Sequence, residues 1–182
     1  TDNEKMAREG ELRFMRAYFY FDLVQQFGRI PLLSEGNVSQ IITDFPRASV
    51  ADVYAFIISD LRYSFDILPD VAMQADRGRA TKWAAANLLS KVYLTRGSAV
   101  KDQRGQKPTD MDSTAYFAEA VINSGKFALE PDYSMTFDQD RQKVSSETIW
   151  GVEFTNDVLF NGSEGNKMHL YWVPTYEKLP GM

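Results

Sequence analysis

The chain has 182 residues, of which 44% are hydrophobic, and its 20 basic and 25 acidic residues give a net charge of −5. A chain of this length and apolar content folds around a core, and its acidity argues against a nucleic-acid binder, which needs a basic surface. The absence of cysteine and the single histidine exclude disulfides, thiolate chemistry and multi-histidine metal sites, so no metal or cofactor is predicted.

The first predicted helix covers residues 11–27 and ends at Gly28, a residue that commonly ends helices. Its side chains are apolar nearly all round, and aromatic residues are frequent between Phe14 and Phe27. A helix of this kind is expected to lie at the centre of a fold, with neighbours on several sides and its aromatic rings in the core.

Two further helices are predicted at residues 50–68 and 82–96. Ser49 and Thr81 stand where N-caps are expected, and Gly97 follows the later helix. The earlier helix carries a single apolar stripe, which indicates one buried face. The later one is rich in alanine, so another helix can approach it closely.

A fourth helix is predicted at residues 113–124, before Gly125. The helical pattern ends there. Alternation of Trp150, Val152 and Phe154 predicts a short strand at residues 148–154. No apolar run approaches the ~18 residues of a membrane-spanning helix.

The first and third helices align on Gly28 and Gly97, which lie 69 residues apart, about two periods of the 34-residue tetratricopeptide repeat. In this alignment Ala17 matches Ala86, a small contact residue of that repeat. The predicted fold is therefore mainly α, with a tetratricopeptide-like core of paired antiparallel helices, long irregular insertions and the short strand.

Aromatic rings are also concentrated close to the end of the sequence, beside polar residues suited to sugar hydroxyls. The candidate glycan-binding residues are Tyr171, Trp172, Tyr176, Asn161 and Asn166. An aromatic ring offers a flat apolar face to a sugar, and a few placed polar groups give orientation. The alternative is that these rings cover the helical core.

Seven short segments carry a resemblance to one protein family. They are residues 11–24 (ELRFMRAYFYFDLV), 27–32 (FGRIPL), 46–50 (PRASV), 78–82 (GRATK), 88–94 (LLSKVYL), 120–127 (AVINSGKF) and 147–150 (ETIW). In this order, the segments resemble those of the SusD/RagB family of outer-membrane lipoproteins from Bacteroidota.

The resemblance implies a helical core of tetratricopeptide-like units and an irregular part that builds much of the ligand site. We accordingly predict an incomplete helical core at residues 1–154 and the beginning of the irregular portion at residues 155–182. Family members are usually far longer than this chain. It is therefore expected to be an internal part of a longer protein, without the lipidated N-terminal cysteine and the C-terminal portion.

The function that the resemblance implies is non-catalytic binding of a glycan or other nutrient at the cell surface. Members are lipid-anchored in the outer membrane and associate with a SusC-like TonB-dependent transporter, so the membrane is expected to be reached only through an anchor outside this chain. The alternative is a helical-repeat module that binds protein and no sugar. A hydrolase would need two carboxylates across a cleft, and nothing distinguishes Asp22 and Asp60 from ordinary ion pairs.

Overall fold

The computed structural model of the protein describes residues 1–33, 44–71, 78–100, 103–137 and 145–151. These residues contain four α-helices and a short 3-10 helix, Tyr133–Phe137. The α-helices are α1 (Asp2–Phe27), α2 (Val50–Ile67), α3 (Lys82–Gly97) and α4 (Asp110–Asn123). The mainly helical fold class is confirmed. Of the helices described, none has the length and apolar character that crossing a bilayer requires.

Local signals at the helix ends account for where three of the helices begin or end. The Ser49 hydroxyl accepts the Asp52 N–H at 3.1 Å, and the Thr81 hydroxyl accepts the Ala84 N–H at 3.3 Å. Both N-caps satisfy donors that the helix itself leaves unpaired. Gly28 follows α1 with a φ of 69°, in a conformation that residues with a Cβ rarely adopt.

The helices α1 and α2 form an antiparallel pair. The Ser64 hydroxyl donates to the Gly10 carbonyl at 2.8 Å, and Arg16 binds Asp60 at 2.7 and 2.8 Å. Further along α1, the ring of Phe21 meets Tyr54 edge-on at 6.3 Å between centroids. The partners move forward on α1 and backward on α2, as an antiparallel pair requires.

The helices α3 and α4 form a second pair of the same kind. Ser90 donates to the Thr114 carbonyl at 3.0 Å, and Arg96 at the end of α3 binds Asp110 at the start of α4. The two pairs join where α2 packs on α3. The predicted tetratricopeptide-like arrangement of paired antiparallel helices is therefore what the described residues form.

The core lies between the two pairs. Ala17 of α1 and Ala86 of α3, the residues matched in the repeat alignment, are both fully buried. Larger side chains fill the remaining space: Phe14, Val53, Tyr54, Ile57, Leu61, Leu89 and Val92 are nearly or fully inaccessible to solvent. Burial of each Phe, Val, Ile or Leu side chain in this set stabilises the fold by about 1.5–3 kcal/mol relative to an exposed position.

The expectation that the aromatic rings of α1 lie in the core was wrong for some of them. Phe14 and Phe21 are buried, but Leu12, Phe19, Leu23 and Phe27 are between 41% and 72% exposed. Their spacing places these four on one face of α1. Only part of the aromatic set of α1 therefore belongs to the core.

The predicted strand was also wrong for the part that the structure describes. Residues 148–151 form bends without a β-ladder, and residues 152–154 lie outside the described residues. An isolated bridge between Pro31 and Arg47 is the β-pairing present in the described ranges. Period-two alternation needs a partner strand to become a sheet, and these ranges offer residues 148–151 none.

Candidate functional site

The five predicted glycan-binding residues, Tyr171, Trp172, Tyr176, Asn161 and Asn166, lie outside the described residues. The structure describes the chain up to Gly151, so the role of these side chains stays a prediction.

Trp150 anchors the end of the described chain to α1. Its indole Nε1 donates to the Gly78 carbonyl at 2.9 Å. Its ring meets Phe14 and Tyr18 edge-on, at 5.1 and 5.3 Å between centroids. Trp83 likewise packs against the core. Both tryptophans therefore contribute to packing.

A groove runs between α2 and α4, and its walls follow helical spacing. The α2 wall is formed by Ala55, Ile58 and Arg62, three and four residues apart. The α4 wall is formed by Thr109, Asp112, Ser113, Tyr116 and Phe117. Residues at these intervals share one face of a helix, so each wall is a single helix face turned toward the other.

The groove consists of two adjoining cavities of about 400 and 290 Å³. Both cavities are lined by Arg62, Thr109 and Ser113. Ligand sites for small molecules typically span about 300–1,000 Å³. The groove is therefore large enough to hold part of a small ligand.

The floor of the groove is a buried ion pair between α3 and α4. Arg96 donates to Asp110 through Nε at 2.9 Å and through Nη2 at 2.5 Å. The Lys107 backbone N–H adds a third hydrogen bond to the same carboxylate at 2.9 Å. Burial raises the pKa of Asp110, but these hydrogen bonds and the positive charges of Arg96 and Lys107 outweigh it. The pKa consequently lies below its ordinary value of 3.8.

A series of aromatic rings supports the α4 wall. Phe117 is 4% exposed, stacks on Tyr93 at 5.9 Å and meets Phe65 edge-on at 5.4 Å. Tyr116 meets Phe117 edge-on at 5.0 Å and is itself 61% exposed. The Tyr116 ring thus rests on a buried aromatic ring while much of its surface faces solvent.

Among the polar side chains of the groove, that of Arg62 is held by a hydrogen bond, and others are available to bind a ligand. Arg62 donates through Nε to the Tyr93 hydroxyl at 2.9 Å, and its guanidinium lies 5.8 Å from the Phe117 ring centroid. Within the described part of the chain, no carboxylate lies within 4.0 Å of Arg62, and the side chains of Thr109, Asp112 and Ser113 have no hydrogen-bond partner.

The carboxylates considered for hydrolysis do not form a catalytic pair. Asp60 is 2% exposed and fully engaged by the bidentate contact from Arg16. Asp22 is exposed and accepts from the Gln26 side chain at 3.0 Å. In the described ranges, no cluster of three or more metal-binding side chains is present.

The sequence interpretation missed the groove. It singled out neither Arg62 nor Phe117 as a functional residue. Their helical spacing was visible in the sequence, but the facing of α2 and α4 across Tyr93 depends on the packing of three helices.

Comparison with known proteins identifies the family. Residues 1–94, just over half of the chain, match the model of a SusD-like family described as starch-binding and associating with the outer membrane. The chain belongs to the SusD-like family. The resemblance drawn from the seven sequence segments is thereby confirmed.

A curated relative extends the SusD-like match beyond residue 94. The SusD-like protein P2 of Formosa agariphila is 31% identical over 168 residues, which cover 88% of this chain and 30% of the relative. The chain therefore spans less than a third of the length of that relative.

Solved structures, one of them of a SusD-like protein, share the fold. A chain solved with a xylogluco-oligosaccharide is 28% identical, with a TM-score of 0.70 over 85% of this chain and 30% of its own length. A laminarin-binding SusD-like protein is 25% identical, with a TM-score of 0.65 over 82% of this chain and 31% of its own length.

Proposed function

We propose that the full-length protein binds a glycan at the bacterial outer surface and passes it to a TonB-dependent transporter, without acting on the glycan chemically. The observation that carries this proposal is the likeness, over 85% of the chain, to a structure solved with a xylogluco-oligosaccharide. The description of the matching family as starch-binding supports the same ligand class.

The glycan contacts are proposed for the sequence that follows the helical core. There, the rings of Tyr171, Trp172 and Tyr176 would stack on sugar faces, and the amides of Asn161 and Asn166 would bind hydroxyl groups. Stacking on a rigid ring gives contact area at a low entropic cost, and amides both donate and accept hydrogen bonds.

The proposed location is the outer surface of the outer membrane. The protein would be held there by a lipid on an N-terminal cysteine outside this chain, and would associate with a SusC-like transporter. The family description, which includes association with the outer membrane, supports this location.

The ligand class is tested by electrophoresis of the full-length protein through gels containing one polysaccharide each, with xyloglucan, laminarin and starch as the panel. We expect retardation in at least one gel. Retardation in none would overturn the glycan proposal and favour the alternative of a protein-binding helical module.

The transporter association is tested separately. The full-length protein, solubilised with its membrane in mild detergent, is purified through an affinity tag. We expect a TonB-dependent transporter to co-purify. Its absence, in a preparation that still binds polysaccharide, would overturn the proposed partner and leave glycan binding intact.

A further inference from the structure

We propose that the groove between α2 and α4 is a second glycan-contact surface, where a neutral sugar ring stacks on Tyr116 and forms hydrogen bonds with Arg62, Asp112 and Ser113. This inference rests on the proposed glycan binding. It adds a contact surface within the helical core to the predicted one at residues 161–176.

The Tyr116 ring is exposed to solvent and supported by a buried ring. The ring is 61% exposed, yet it rests edge-on against Phe117, which is buried between Phe65 and Tyr93. A supported tyrosine keeps few free torsions, so a ligand that stacks on it orders little additional structure. Such a ring offers a ready apolar face to the C–H surface of a sugar.

Polar side chains that can form hydrogen bonds line the groove beside this ring. Nε of Arg62 is fixed by the Tyr93 hydroxyl, so its Nη groups remain as donors. The Asp112 carboxylate accepts hydrogen bonds, and the hydroxyl of Ser113 both donates and accepts. Within the described ranges, Arg62 binds no carboxylate, and the side chains of Asp112 and Ser113 form no hydrogen bond. Together the three side chains offer both donors and acceptors, as sugar hydroxyls require.

The charge and polarity of the groove favour a neutral, polar ligand. Arg96 and Asp110 neutralise each other at the floor, and the remaining charges are those of Arg62, Lys107 and Asp112. Because the positive and negative charges of the groove nearly balance, the groove does not favour binding of a polyanion. An amphipathic peptide helix binds through a continuous apolar groove, whereas the α4 wall is largely polar apart from its two aromatic rings. A neutral glycan fits both properties.

The test measures the affinity of the full-length protein for xylogluco- and laminari-oligosaccharides by titration calorimetry. Tyr116→Ala is expected to weaken binding on the order of three- to tenfold, in line with about 0.5–1.5 kcal/mol for a ring contact. Tyr116→Phe keeps the ring and is expected to bind like the wild type. Tyr133→Ala, which removes an exposed tyrosine outside the groove, is the matched control.

A second variant keeps the test independent of Tyr116 packing. Asp112 is exposed, so Asp112→Ala is expected to fold normally and to weaken the same binding severalfold. Unchanged affinity in both Tyr116→Ala and Asp112→Ala, when Trp172→Ala abolishes binding, would overturn this inference and leave the proposed function standing. A wild-type protein that binds no glycan would instead remove the proposed function itself.

Discussion

Arg96 in the last turn of α3 and Asp110 at the first position of α4 form a bidentate ion pair that is almost inaccessible to solvent. Their side chains are 6% and 1% exposed. Because the Lys107 N–H binds the same carboxylate, one acidic group closes the loop and fixes the start of α4. The pair therefore holds the start of α4 against the end of α3.

Asp110→Asn is expected to destabilise the protein by about 3–5 kcal/mol, because it leaves the buried Arg96 guanidinium without a counter-charge. The measurement is denaturant unfolding followed by circular dichroism. Asp66→Asn, an exposed change on α2, is the matched control and should stay within about 0.5 kcal/mol of the wild type. Equal effects of the two substitutions would contradict a stabilising role for the pair.

The same carboxylate predicts a pH dependence. The pKa of Asp110 in the folded protein lies below 3.8, its ordinary value in the unfolded chain. Its contribution to the free energy of unfolding is therefore complete above about pH 4. The contribution is lost as the pH falls through the folded pKa, because the unfolded state binds the proton first. The stability difference between the wild type and Asp110→Asn should shrink as the pH falls toward about 2.

Other carboxyl groups with lowered pKa values, those of Glu4, Glu9 and Asp132, are present in both proteins and cancel in this comparison. The measurement is a series of unfolding curves between neutral pH and about pH 2. A difference that stays constant throughout would show that the Asp110 pKa is not lowered by folding.

Gly97→Ala is expected to destabilise the protein by about 1–3 kcal/mol, even though alanine favours helices. The added Cβ would lie 2.8 Å from Cβ of Asp110, which is fixed close to the backbone. In Gly10→Ala the nearest atom, 3.1 Å away, is the end of the Leu68 side chain, which can shift. In thermal unfolding, Gly97→Ala should have a lower melting temperature than Gly10→Ala. The reverse order would contradict the close approach of α4 to Gly97.

Trp150→Phe keeps the ring contacts with Phe14 and Tyr18 but removes the hydrogen bond to the Gly78 carbonyl, so a loss of about 1 kcal/mol is expected. Trp83→Phe is the matched control, because the buried Nε1 of Trp83 has no partner among the residues described. Chemical unfolding should show the larger loss for Trp150→Phe. Equal losses would indicate that ring size, and not the indole donor, determines the effect.

The helices were predictable because their signals are local. Ser49 and Thr81 cap α2 and α3 as the sequence indicates, since an N-cap depends on residues within one turn. The start of α1 was missed because its first turns are polar. Ion pairs such as Glu9 with Arg13, at 2.7 Å, support those turns without an apolar stripe.

Burial around α1 was less predictable, since it depends on which faces neighbouring helices cover. Phe19 and Phe27 resemble Phe14 and Phe21 in the sequence, yet only the latter two are buried. Gly97 shows the same limitation. It aligns with Gly28, but its backbone is helical, and the reason for glycine is the approach of Asp110.

The α2–α4 groove could not be predicted from the sequence, because its residues are far apart along the chain. Arg62 and Tyr116 are 54 residues apart, and each looks like an ordinary solvent-facing residue on its own helix. Their convergence follows from both helices packing on α3, with Tyr93 between them. The family, by contrast, was recognisable from short segments, because those segments retain their order along the chain.

The most direct test of the account is titration calorimetry of the full-length protein and its Trp172→Ala variant with the oligosaccharide of a retarding polysaccharide. We expect saturable binding by the wild type and at least about tenfold weaker binding by the variant, corresponding to about 1.4 kcal/mol, at an unchanged melting temperature. Equal affinities would contradict the assigned glycan contacts, and no heat of binding with any oligosaccharide would contradict the proposed function.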